Sequence, residues 1–365
     1  MNTKFAFIVA GLFILSISSV ALFSHAPGTR WSQSAAVAQT ETVVPSIGAN
    51  KFDLALQYLG RASGGDGSDR YRTVTAAMGK KSIIDARTTG APFMRVAITG
   101  YSADDLALWR SDPQQYWALM DQMFSDLRAN NMKIVPVFLW NKDQFLAMQN
   151  DTIKNMLTNP QSPSYLLLTQ YVQQFITRYK DDPSILFYEL TNELNNYVDL
   201  DAKKRCINVY GTAICKGVEN FSTADMIGFT TRFATYIRTL DPTRLISSGF
   251  SMPRPQAEHL RARPEWSTTG ADWTADSQAQ FATNIADIHQ GLDIVSIHLY
   301  SPDNTRFGTT TAATLSVIKN TTDGLGKKLY IGEFGAVNNP ALIKDVLKSV
   351  VDLGIAYASP WVWEY

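Results

Sequence analysis

Residues 178–193 read RYKDDPSILFYELTNE, and the parsing of this stretch decides the fold. Its first residues close an amphipathic segment, SYLLLTQYVQQFITRYKDD (164–182). There Leu168, Tyr171, Val172, Phe175 and Tyr179 recur at a spacing near 3.6 residues and make one apolar stripe, as in a helix laid on a core. Asp181-Asp182-Pro183 breaks that period. From Ile185 to Leu190 the chain is apolar except for Glu189, the pattern of a strand covered on both faces, and it ends on the polar Thr191-Asn192-Glu193. Two glutamates four residues apart thus sit on one strand, one in its body and one at its end.

The same unit recurs along the chain. Apolar runs of strand type are FDLALQYL (52–59), PFMRVAI (92–98), KIVPVFLW (133–140), SILFYELTNE (184–193), RLISSGF (244–250), LDIVSIHLY (292–300), LYIGEFG (329–335) and IAYASPWVWEY (355–365). Segments of helical spacing, such as QQYWALMDQMFSDLRANN (114–131), separate them. Near-continuous apolar strands alternating with amphipathic helices indicate a parallel sheet covered by helices. Eight units predict an α/β fold closed as a (β/α)8 TIM barrel, a fold of typically ~250 residues or more. A doubly wound open sheet is the alternative, weakened because no Gly-rich phosphate loop follows the first run. The eighth run reaches Tyr365, so this barrel is expected to lack its last helix; either the N-terminal segment covers that flank or the flank stays thin.

Composition narrows the function. The chain has 365 residues, 45% of them hydrophobic, enough for a sizeable core. Lys and Arg together number 33, as do Asp and Glu, so no basic excess points to nucleic acid as a partner. Eight Trp, 15 Tyr and 18 Phe suit a sugar or apolar ligand, although large cores also use aromatics.

The first residues read as a targeting segment. Lys4 precedes an apolar run from Phe5 to Phe23, followed by the small-x-small pattern Ser24-His25-Ala26, with Ala36-Val37-Ala38 as a second cleavage candidate. Residues 1–26 are therefore a signal peptide or a membrane anchor; Ser16, Ser18 and Ser19 dilute the run and favour cleavage. Residues 27–48, rich in Ser, Ala, Thr and Val with Pro27 and Pro45, read as a linker, and 49–365 as the catalytic domain. Either reading exports the domain, to the periplasm, the medium or the outer face of a membrane to which it is tethered. In an oxidising compartment Cys206 and Cys215, nine residues apart in the loop-like RCINVYGTAICKG (205–217), are expected to form a disulfide rather than remain free thiols.

In such a barrel chemistry sits where strands meet their following loops. Those strand ends carry Arg95, Trp140 and Asn141, Asn192 and Glu193, His298 and Tyr300, Glu333, and Trp363. Paired carboxylates among aromatics, with no metal-ligand cluster, suggest glycoside hydrolysis, in which one carboxylic acid protonates the departing oxygen and the other attacks the anomeric carbon. Tyr300 could hydrogen-bond the nucleophile, Asn192 suits a sugar hydroxyl, and Trp363 offers a flat face. Arg95, charged within an apolar strand, needs an anionic partner, either the nucleophile or a structural carboxylate such as Glu189. Glu189 lies deeper in the barrel and reads as structural. Trp266 and Trp273, in RPEWSTTGADWTADS (263–277), are outer sugar platforms or loop packing. Asp199 and Asp201 alone do not make a calcium site, and neither metal nor cofactor is expected.

YELTNE, IHLY, IGEFG and WVWEY, in this order, resemble the retaining glycoside hydrolases of clan A, most closely the cellulase-like family 5, over roughly residues 90–365. The resemblance implies Glu193 as acid/base, Glu333 as nucleophile, and Asn192, Arg95, His298, Tyr300 and Trp363 as their partners. Two departures stand out. FLWNKDQF (138–145) has no histidine where that family has one near the end of the third strand, leaving Trp140 or Asn141 in that corner, and Leu194 follows the acid/base where proline is usual. The expected activity is a retaining β-glycosidase acting within a β-linked polysaccharide, a β-glucan or β-mannan. A transglycosylase and a catalytically silent polysaccharide-binding barrel are the alternatives.

Overall fold

The computed structural model describes residues 44–61, 74–212, 215, 217–335 and 340–363. The targeting segment 1–26 and most of the 27–48 stretch lie outside the described residues. Among the described residues no helix is long and apolar enough to cross a membrane.

Among the described residues nine parallel strands form one sheet: β1 (Ser46–Ile47), β2 (Ala49–Asn50), β3 (Phe93–Ala97), β4 (Lys133–Leu139), β5 (Tyr188–Thr191), β6 (Ile246–Ser247), β7 (Ile294–Leu299), β8 (Lys328–Phe334) and β9 (Tyr357–Ala358). Each strand from β3 to β8 pairs with the next in sequence. β1 pairs with β9 and β2 with β3, so the two halves of one broken strand occupy both ends of the order and the ring closes as a (β/α)8 barrel. Pairing begins at Ser46.

The first strand is therefore not FDLALQYL. Leu54–Tyr58 of that run is a helix, and the strand is the short SIGAN before it. All five helical residues are buried, so the helix has no polar face to mark its period. Among the described residues no helix follows β9. The flank near β1 and β9 is filled by Ile47, which packs on the cluster of Leu342, Val346, Val350, Ile355 and Ala358.

Outside the ring the helices follow local signals. Pro163–Tyr179 starts on Ser162, whose side chain accepts from Tyr165 N, with proline in the first turn, where its missing N–H costs nothing. Its stripe faces helix Pro113–Ala129: Tyr179 stacks on Phe124 with ring centroids 3.9 Å apart, and the Tyr116 and Tyr171 hydroxyls bond at 2.7 Å. Inside the ring the two-residue period of a strand builds layers. Phe93, Val135, Phe187, Ile294 and Tyr330 fill an apolar layer. Two residues further on, Arg95 and Glu189 occupy the next layer on the same faces. The pleat thus lifts charge from an apolar floor toward the strand ends.

His289, fully buried outside the reaction centre, bonds Ser248 Oγ and the Ile285 carbonyl at 2.9 Å each. Burial pushes its imidazole down from 6.5 to about 4. Since its folded pKa is depressed, its contribution to stability is complete above pH ~6.5 and is lost as pH falls through ~4, where only the unfolded chain takes up the proton. The shift corresponds to roughly 3 kcal/mol. Denaturant titrations across this window should show wild type losing about that much more stability than His289→Gln; parallel profiles would refute the assignment.

Candidate active site

Arg95 organises the strand ends. It is fully buried in β3 and spreads its guanidinium over four partners: Glu189 Oε1 from Nε at 2.6 Å, Glu333 Oε1 from Nη1 at 2.7 Å, Asn50 Oδ1 from Nη1 at 3.2 Å, and Asn192 Oδ1 from Nη2 at 2.8 Å. Burial opposes its charge, but the carboxylates of Glu189 and Glu333 outweigh that and hold it well above its ordinary range. Both anionic partners left open by the sequence are thus used. Glu189, also fully buried, accepts from Ser247 Oγ on its other oxygen at 2.9 Å.

Glu333, at the end of β8, accepts from Arg95 and, on its second oxygen, from Tyr300 Oη at 2.8 Å. Burial and the negative charge of Glu333 push the Tyr300 phenol far up, so it stays protonated and donates. Glu193 stands past the end of β5 in the left-handed region, at φ 53° and ψ 27°, which costs a non-glycine residue free energy and commonly marks functional positions. Its backbone is held there by Glu193 N donating to Gly249 O at 2.7 Å. Gly249 is required at that contact: a Cβ would fall 1.8 Å from Thr191 O, and its φ is +74°.

His298 joins the two glutamates. Its Nδ1 lies 2.8 Å from Glu193 Oε1 and 3.5 Å from Glu333 Oε1, and the ring is buried. Space for the ring comes from Gly332, whose Cβ would sit 2.9 Å from His298 Nε2. Burial pushes the Glu193 carboxyl up, but the hydrogen bond and charge of His298, with Arg95 behind them, prevail and leave it below its ordinary value. One donor atom each from Glu193, His298 and Glu333 lies within 4.8 Å of the others. Such a set could hold a cation, but the Arg95 guanidinium 2.7 Å from Glu333 places a fixed positive charge beside it, which disfavours one.

The third-strand corner belongs to Trp140. The Arg95 guanidinium carbon lies 4.6 Å from its ring centroid, and Trp140 packs with Phe52, Tyr101 and Trp361. Asn141 is occupied otherwise: it caps helix Lys142–Gln149 through Asp143 N and donates to Tyr101 O at 2.8 Å. Asn192 spends its carbonyl on Arg95, which leaves the donor amide as its other polar group. Trp363 packs against the main core, and its backbone N–H donates to Asn50 O at 2.8 Å. The half-buried tryptophan tied to the end of β8 is Trp361, whose backbone N–H donates to Phe334 O at 2.8 Å and whose ring stacks on Phe52.

Three residues of the site went unread in the sequence. Asn50 ties Gly332 O and Ser359 O to Arg95, Tyr101 joins the aromatic wall, and Trp361 supplies its outer face. Only Trp361 carried a signal, as the first tryptophan of WVWEY. Cys206 and Cys215 form a disulfide with an S–S distance of 2.06 Å; Cys206 lies in helix Ala202–Tyr210 rather than a loop.

The fold is similar to that of the endo-β-1,4-mannanase from Thermotoga petrophila, at 16% identity over 88% of this chain and 68% of that one, with a TM-score of 0.58. The endo-1,4-β-mannanase from Rhizomucor miehei gives 16% identity over 87% and 86%, with a TM-score of 0.57. A broad-specificity endoglucanase from Clostridium acetobutylicum gives 16% identity over 86% and 87%, with a TM-score of 0.51. Among curated proteins no relative matches by sequence. The family model for cellulase, glycosyl hydrolase family 5, matches residues 68–364. With that match spanning most of the chain and a barrel that closes on two facing glutamates, this protein belongs to glycosyl hydrolase family 5 and is a glycoside hydrolase.

Proposed function

We propose that the protein is an exported, endo-acting, retaining β-glycoside hydrolase of β-mannan or β-glucan. One observation carries the mechanism: a carboxylate oxygen of Glu193 lies within 4.8 Å of one of Glu333. Carboxyl groups ~5–5.5 Å apart suit direct attack by one of them, whereas ~6.5–9.5 Å is needed to admit a nucleophilic water. The similar folds of mannanases and an endoglucanase support the choice of polymers and internal cleavage. The apolar run from Phe5 to Phe23 and the disulfide support export.

Glu333, oriented by hydrogen bonds from Arg95 and Tyr300, attacks the anomeric carbon. Glu193 gives a proton to the departing oxygen, then takes one from the water that cleaves the glycosyl-enzyme ester. Bound sugar excludes water from Glu193, and desolvation is the influence that raises its carboxyl, so the acid gains its proton beside His298 as substrate arrives. Asn192 offers its amide to the hydroxyl beside the reacting carbon, and Trp361 offers its face to the ring.

The test is release of reducing ends from purified β-mannan, β-glucan and xylan, with product lengths followed over time. Early mixtures of internal fragments from mannan or glucan are expected. Release of single terminal sugars would overturn endo action, transfer to acceptor sugars without net hydrolysis would favour a transglycosylase, and no release would favour a silent binder.

A further inference from the structure

We infer that Tyr197, held by Lys142, is a platform for the leaving-group side of the substrate, for the uncharged sugar unit just beyond the scissile bond. The inference rests on Glu193 being the acid, because the acid stands on the side from which the leaving group departs.

Tyr197 follows the short turn Leu194–Asn196 that begins at Glu193, and the neighbouring Asn196 donates from Nδ2 to Glu193 Oε2 at 3.3 Å. It is thus one residue from a direct contact with the acid. Although so near the reaction centre, its side chain is exposed, at 47%. Lys142 Nζ lies 4.4 Å from its ring centroid, a contact between a cation and the negative face of the ring. Lys142 opens the helix Lys142–Gln149 that follows β4, two residues after Trp140, whose own ring lies under Arg95. From a third side Arg254 Nη2 donates to Asn196 O at 2.6 Å and steadies the turn. Segments after β4 and β6 therefore converge on the ring and the turn that follow β5, at a residue the core does not need.

A rigid aromatic face lowers the entropy cost of capturing a ligand. The C–H bonds on one face of a pyranose carry partial positive charge and pack on such a ring, whereas a hydroxyl-rich edge would not. Trp361, on the β8–β9 side of the mouth, and Tyr197, on the β5 side, would then grip the polymer on either side of the bond to be cut.

The test compares two substrates sharing the same donor sugars: a hexasaccharide of the polymer that wild type cleaves, and the corresponding disaccharide β-fluoride, whose leaving group occupies no sugar position. In Tyr197→Ala the ratio of kcat/KM on hexasaccharide to kcat/KM on fluoride should fall about 10-fold, mainly through KM. Tyr197→Phe, which keeps the face, should restore most of the ratio. An unchanged ratio in Tyr197→Ala, or an equal loss on both substrates, would overturn the platform and leave the ring as support for the acid's turn. Wild type inert toward mannan and glucan alike would instead overturn the substrate reading beneath it.

Discussion

Glu333→Gln should reduce turnover of polysaccharide by at least ~10⁴-fold, about 5.4 kcal/mol of transition-state stabilisation. The substitution preserves shape but removes the attacking charge and leaves one acceptor oxygen, kept on Arg95 while Tyr300 turns its hydroxyl to accept from the new amide. Arg95 would keep Glu189 as its anionic partner at 2.6 Å, so the barrel should fold with its buried cation still paired. Unchanged near-ultraviolet circular dichroism checks this. The companion measurement uses wild type and a 2-fluoro glycoside with a good leaving group, which slows resolution of the ester. Peptide mass mapping should find the sugar on Glu333. A label on Glu193 or Glu189, or substantial activity in folded Glu333→Gln, would end the assignment of the nucleophile.

Glu193→Ala should separate the two halves of the reaction. On natural polysaccharide the rate should fall by ~10²–10⁴-fold, the usual worth of a positioned general acid. On a 2,4-dinitrophenyl glycoside the glycosylation step should be nearly intact, because that leaving group needs no proton, while deglycosylation lacks its base and the intermediate accumulates. A burst of dinitrophenolate followed by slow turnover is the expected trace. Equal losses on both substrates would show that Glu193 supports structure rather than proton transfer. His298 Nδ1, 2.8 Å from the missing carboxylate, would still have Glu333 within 3.5 Å, so its surroundings keep an acceptor.

The positions of these two glutamates were legible because strand ends are local. Thr191-Asn192-Glu193 ends an apolar run and Gly332-Glu333-Phe334 another, and a carboxylate at such a place has few structural uses. The floor beneath them was less legible. Arg95 announced that it needed an anion, but its four partners come from positions 45 to 238 residues away, and no local pattern names them. Asn50 was missed because its strand is short and split, while the buried helix beside it, Leu54–Tyr58, carried the apolar run that a strand would have shown. Asn141 looked like a ligand contact and is a helix cap, a role that depends on where the next helix begins. Between the tryptophans of WVWEY, the backbone path after β9 gives Trp361 to the aromatic wall and Trp363 to the core.

The sequence by itself determined the alternation of strand and helix, the ring of polar strand ends and the two glutamates, because hydrophobic periods of two and 3.6 residues are written by neighbours along the chain. Only the tertiary structure decided which strand ends face one another, that Glu193 and Glu333 share His298, and that Lys142 steadies Tyr197. Those pairings depend on how the strands close into a ring and how loops of differing length return over its mouth, and the free energy of burying Arg95 among its anions is realised only once that ring is closed.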